Sequence, residues 1–110
     1  MTVELLYLPG CPNHDATVDL IREVLEKTGL SAELTETSVC DYEGAQKHGF
    51  PGSPTLRVNG RDIEDAPSGH LPVGFACRTY CVDGKALGVP PRAWLERAIL
   101  AAHLPEENHP

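Results

Sequence analysis

The chain predicts one α/β domain: a four-stranded mixed sheet with helices on both faces. Three observations lead there. Val3 to Leu8 is almost wholly apolar, as a strand buried on both faces must be. A long amphipathic stretch, Asn13 to Gly29, separates it from an alternating one, Ala32 to Val39, giving a strand–helix–strand unit whose crossover makes the two strands parallel. Asn59-Gly60 then joins two short strand-like runs, a hairpin signal that adds antiparallel strands.

The elements follow in order. Pro9-Gly10 ends the first strand, and Cys11 and Pro12 come directly after it. In the helical stretch, Val18, Ile21, Val24, Leu25 and Thr28 recur at three- and four-residue steps, while Asp19, Arg22, Glu23, Glu26 and Lys27 take the other face. Gly29 is its stop. Asp41 to His48 predicts a short helix ended by Gly49. Thr55 to Val58 is the third strand, and Arg61 to Glu64, across Asn59-Gly60, the fourth. Asp65 to Phe75, rich in Pro, Gly and Ser, reads as a loop. Thr79 to Val82 and Lys85 to Gly88 flank Asp83-Gly84 as a second hairpin. Pro90-Pro91 leads into a last helix, Arg92 to His103, with Trp94, Leu95, Ala98, Ile99 and Ala102 on its apolar face. The expected organisation is one domain over 1–104 and a frayed tail over 105–110, with no internal repeat.

Composition limits the function. A net charge of −7 and the lack of any block of basic residues speak against a nucleic-acid partner. No stretch of about 18 apolar residues predicts a membrane span. Met1-Thr2-Val3-Glu4 opens no signal-peptide pattern, so the expectation is a cytoplasmic chain. Four cysteines in that compartment point to catalytic, redox or metal-binding use rather than a disulfide frame. No Gly-rich phosphate loop or paired metal motif appears, so no cofactor is expected.

Cys11 is the leading candidate. A thiol between a strand and a helix start meets unpaired N–H groups and the positive end of the helix dipole, which favour the thiolate. His14, three residues on, can take its proton, donate to the thiolate or share a metal. Cys40 ends the second strand, on the same sheet edge if the strands are parallel, and reads first as a structural thiol. Cys77 and Cys81 stand about 13 Å apart if extended, too far for a disulfide, and meet only on a helical turn. Arg78 between them can hold a thiolate or carboxylate, or be solvated. His48 suits a helix C-terminus, and His70, His103 and His109 belong to no constellation.

With Cys11-Pro12-Asn13-His14 after the first strand, Gly52-Ser53-Pro54-Thr55 opening the third, and Leu56-Arg57-Val58-Asn59-Gly60 as the hairpin behind it, the chain resembles the thioredoxin/glutaredoxin superfamily from Val3 to about His103. The resemblance implies a βαβαββα thioredoxin-like fold. It also implies a cis peptide before Pro54 and a Ser53 backbone beside Cys11, free to pair with an extended thiol substrate. The chain is also similar to short thioredoxin-like chains related to organomercurial lyases. Dithiol members have a second cysteine where this chain has His14, and a lone thiol cannot resolve its own mixed disulfide.

The leading expectation is thiol–disulfide exchange with a protein or small-molecule thiol or disulfide. Cys11 attacks, Ser53 and Pro54 shape the groove, and Cys77 or Cys81 resolves. Cys77 is preferred, because Cys81 belongs to the second hairpin. A second class is a handler of mercury or another soft metal ion, held by Cys11 and Cys77; carbon–mercury cleavage would also need a proton donor, for which Asp15, Asp41 and His14 are candidates. A third is a non-catalytic interaction domain.

Overall fold

The computed structural model describes residues 1–64 and 73–103. The expected loop falls mostly on 65–72 and the expected tail on 104–110. Both stretches, with His70, His109 and the proposed boundary at 104, lie outside the described residues.

The elements are β1 (Thr2–Tyr7), α1 (His14–Thr28), β2 (Glu33–Ser38), α2 (Tyr42–His48), β3 (Thr55–Val58), β4 (Arg61–Asp62), β5 (Tyr80–Val82), β6 (Lys85–Leu87) and α3 (Arg92–His103). Four strands form a mixed sheet in the order β2-β1-β3-β4, with β1 parallel to β2 and antiparallel to β3. β5 and β6 form a separate two-stranded ribbon.

β1 is paired along both edges, and both its faces are buried as well. Val3 and Leu5 pack with Val18, Ile21 and Val24 of α1 and Leu95 and Ile99 of α3. Leu6, one residue on and so on the opposite face, packs with Val39, Ala45 of α2 and Phe50. Helices therefore cover both faces. Each fully buried Leu, Ile, Val or Phe side chain contributes roughly 1.5–3 kcal/mol, so these two clusters dominate stability. Lys27 pairs with Glu96 at 3.1 Å and Arg92 with Glu23, tying α1 to α3 at the surface.

Turn chemistry explains the boundaries. Asn59 and Gly60, and again Asp83 and Gly84, carry positive φ (51° and 83°, 52° and 78°), the pattern of a two-residue type I′ turn that matches strand twist. Gly29 closes α1 in the left-handed conformation. Asp41 caps α2, its carboxylate accepting from the Gly44 N–H at 2.7 Å. The fourth strand is shorter than the expected Arg61 to Glu64. The Asp62 carboxylate captures the Glu64 N–H at 2.8 Å and turns the backbone out of the ladder. No helix among the described residues is long and apolar enough to cross a membrane.

Candidate thiol site

Leu8 to Cys11 forms a tight turn closed by the Cys11 N–H on the Leu8 carbonyl at 3.0 Å. Pro9 supplies its fixed φ, and Gly10 the positive φ of 78° that a type II turn requires at its third residue. A second turn follows, with the His14 N–H on the Cys11 carbonyl at 3.3 Å. Only then does α1 begin, at His14, with Asn13 as N-cap. Cys11 is thus half-buried in the turn between β1 and α1, two residues ahead of the cap. Pro12 lacks a donor and the paired turns use up the chain between. The Asn13 side chain makes no capping bond; it lies against Gly88, where a Cβ would come within 2.6 Å of its amide nitrogen.

His14 differs from expectation. Its Nε2 meets Glu36 Oε1 at 2.6 Å and its Nδ1 meets Asp15 Oδ1 at 3.0 Å, while the ring lies tilted at 49° against Tyr7 with centroids 4.4 Å apart. The hydrogen bonds to Asp15 and then Glu36 raise its pKa against a smaller opposing effect of burial. Both ring nitrogens are engaged by carboxylate oxygens, so neither is directed at the Cys11 thiol. Glu36, the partner that sequence reading missed, is 22 residues away and arrives through the β1–β2 register, which sets Leu5 opposite it.

Ser53 links the site to the rest of the chain. The Ser53–Pro54 peptide is cis. Ser53 is buried, and its hydroxyl accepts from the Leu8 N–H at 3.0 Å, at the base of the Cys11 turn. Its own N–H donates to the Ala76 carbonyl at 2.9 Å, and its carbonyl accepts from the Arg78 N–H at 2.8 Å. This is a parallel bridge that sets Cys77 opposite Ser53. The backbone at Ser53 is therefore not free, as the sequence reading expected: residues 76–78 of the same chain occupy it. Gly52 allows the close approach. Its φ is 138°, and a Cβ there would lie 2.8 Å from Arg78 Cβ and 3.1 Å from the Ala76 carbonyl.

Arg78 anchors that segment. Its guanidinium grips Asp62 through two bonds, at 2.8 and 3.0 Å, and also reaches Glu64 at 2.9 Å and Thr55 Oγ1 at 3.0 Å. It stacks 4.5 Å above the Tyr80 ring, and the Tyr80 hydroxyl donates to the Pro54 carbonyl. Burial opposes the charge on Arg78, but the bonds to Asp62 outweigh it together with smaller contributions and hold its pKa above the ordinary value. Of the three roles read for Arg78, the carboxylate partner is the one observed. Burial raises the Tyr80 phenol. Tyr80 meets Trp94 edge-on at 6.0 Å, which joins the segment to α3.

Residues 77 to 81 alternate exposed and buried: Cys77, Thr79 and Cys81 face out, Arg78 and Tyr80 in. Such an extended run keeps Cys77 and Cys81 about 13 Å apart. Cys81 sits in β5 opposite Ala86. Cys40 is exposed just past β2, 3.5 Å from Ser38 Oγ. All four sulfurs are free thiols. Hydrogen bonds thus link the Cys11 turn through Ser53, beside the cis Pro54, to residues 76–78, while the His14 ring is bound to Asp15 and Glu36 and Cys81 lies in β5. Among the described residues, no group of three or more His, Cys, Asp or Glu side chains converges as a metal site.

A groove of about 730 Å³ between β4 and α3, lined by Val58, Arg61, Ile63, Trp94, Arg97 and Ala98 among others, lies at the opposite end of the sheet, where Val58 pairs with Val3. No protein-family model matches the chain, and comparisons with curated proteins and with solved structures return no match.

Proposed function

We propose that the chain is a thioredoxin-like thiol–disulfide exchange protein, with Cys11 as attacking thiol and Cys77 as resolving thiol. The observation that carries this reading is the bridge of Cys77 to Ser53, whose hydroxyl binds the Leu8 amide at the base of the Cys11 turn. Residues paired across a bridge present side chains to the same face, so Cys77 shares a face with the hydroxyl that reaches the turn. The sheet order β2-β1-β3-β4, with parallel β1–β2 and helices on both faces, supports the thioredoxin-like assignment.

In the proposed reaction the Cys11 thiolate attacks a substrate disulfide. The substrate S–S bond breaks, a Cys11 mixed disulfide forms, and the leaving thiolate takes a proton from water. The Cys77 thiolate then attacks Cys11 Sγ, forming the Cys11–Cys77 disulfide and expelling the second substrate thiol. A thiol reductant returns the pair to its reduced state. With His14 bound to two carboxylates, Cys11 loses its proton to solvent rather than to that ring.

The test is trapping. Cys77→Ser should accumulate the mixed disulfide on Cys11 when mixed with a small disulfide, and Cys11→Ser should accumulate none on Cys77 at a comparable rate. Equal labelling of Cys11 and Cys40 in the Cys77→Ser protein would count against Cys11 as the attacking thiol.

A further inference from the structure

We propose that residues 73–80, laid against Ser53, close the Cys11 site to polypeptide chains, so that Cys11 exchanges with low-molecular-weight disulfides. This rests on the reading of Cys11 as an exchanging thiol and adds the class of substrate.

An extended polypeptide docks beside a sheet by pairing its backbone with unpaired N–H and C=O groups. β1, which leads into Cys11, is flanked by β2 and β3, and its last carbonyl, on Tyr7, accepts from Val39. The extended backbone next to the turn is Ser53, and both its groups are committed, to Ala76 and Arg78. A second polypeptide must displace residues 76–78 before it can pair there.

Displacement is resisted at several points. Lifting Arg78 takes its guanidinium from Asp62, Glu64 and Thr55 and from the Tyr80 ring. The Gly74 N–H donates to the Phe50 carbonyl at 2.9 Å, so the segment is held upstream of the bridge as well. At Gly52 the segment lies too close for even a methyl group to fit beneath it. A small disulfide needs none of this moved: Cys11 is half-buried rather than buried, and Cys77 is exposed.

The chemistry is the exchange already written, with the substrate narrowed. The reacting S–S bond must belong to a molecule able to reach a half-buried sulfur without pairing its backbone.

The experiment uses the full chain carrying Cys77→Ser, so that the Cys11 mixed disulfide accumulates. Its rate of formation is measured by stopped flow and mass spectrometry with two probes: 2-hydroxyethyl disulfide, and a long unstructured peptide carrying one cysteine as its 2-mercaptoethanol mixed disulfide. Two main-chain bonds given up without replacement correspond to a factor of about ten or more, so the small probe should react at least that much faster. Arg78→Met in the same background should shift the ratio toward the peptide by a similar factor. Should that variant not fold, amide hydrogen exchange at Ser53 and Arg78 gives a second measurement, with protection expected to be unchanged by the peptide. Equal rates for the two probes, or loss of that protection when the peptide reacts, would overturn the proposal. A Cys11 inert to both probes would remove the exchange reading itself, and the proposal with it.

Discussion

Replacing Arg78 by Met tests the anchor on which the arrangement of Cys77 depends. The Arg78 side chain is 6% exposed and that of Asp62 16%, so the pair is well shielded from water. Removing one partner of such a buried pair leaves the other charge without compensation and costs about 3–5 kcal/mol. The Glu64 side chain is 37% exposed, so its bond to Arg78 is screened and contributes under about 1 kcal/mol. The Thr55 bond adds about 1 kcal/mol, and the Tyr80 stacking is of similar size. We expect Arg78→Met to destabilise the fold by about 3 kcal/mol or more, a large part of the ~5–15 kcal/mol typical of a domain. With a urea slope near 1.5 kcal/mol/M, that is a fall in midpoint of about 2 M. Asp62→Asn combined with Arg78→Met should cost less than the sum of the two single changes, because the second substitution removes the stranded charge. Additive costs, or a midpoint shift below about 0.5 M for Arg78→Met, would show that the buried pair does not anchor the segment.

Further outcomes follow from the same geometry. His14 carries a raised pKa, from its bonds to Asp15 and then Glu36, so its contribution to stability is fully present below the unfolded value of about 6.5 and is lost as pH rises through the folded value. An NMR titration should show a midpoint above 6.5 in the native protein, lowered in Glu36→Gln; an unchanged midpoint in that variant would contradict the pairing. Cys40→Ser and Cys81→Ser should leave formation of the Cys11–Cys77 bond within about twofold, since Cys40 lies past β2 and Cys81 in β5; a loss of tenfold or more in either would reassign the resolving thiol.

Local signals in the sequence placed most of the elements. β3 and α3 fall where expected, as do both two-residue turns, because Asn-Gly and Asp-Gly need little beyond their own φ values. Gly29 and Gly49 stop their helices in the left-handed conformation for the same reason. What was not legible depends on residues distant in the chain. Glu36 lies on an alternating, exposed strand, and nothing local marks it as the partner of His14. Arg78 stood out only as a cation between two cysteines; Asp62 and Glu64 are 16 and 14 residues away, brought to it by β4 and the turn that follows it. The stretch expected from Asn13 begins as α1 at His14, with Asn13 as N-cap, because Pro9-Gly10 and Pro12 mark the turns that precede the helix. The bridge of Cys77 to Ser53 links residues on either side of a Pro- and Gly-rich stretch, and no pattern in that stretch encodes it.

The most direct test of the central claim is the disulfide the protein makes for itself. Mild oxidation of the reduced chain, followed by proteolysis and mass spectrometry without reduction, identifies which sulfurs join. A disulfide requires Cα atoms roughly 4.4–6.8 Å apart, which limits the pairs that can close without moving the backbone far. A Cys11–Cys77 peptide should be the main product, with Cys40 and Cys81 recovered as free thiols. A Cys11–Cys40 product, or Cys11 left free while other pairs form, would contradict it.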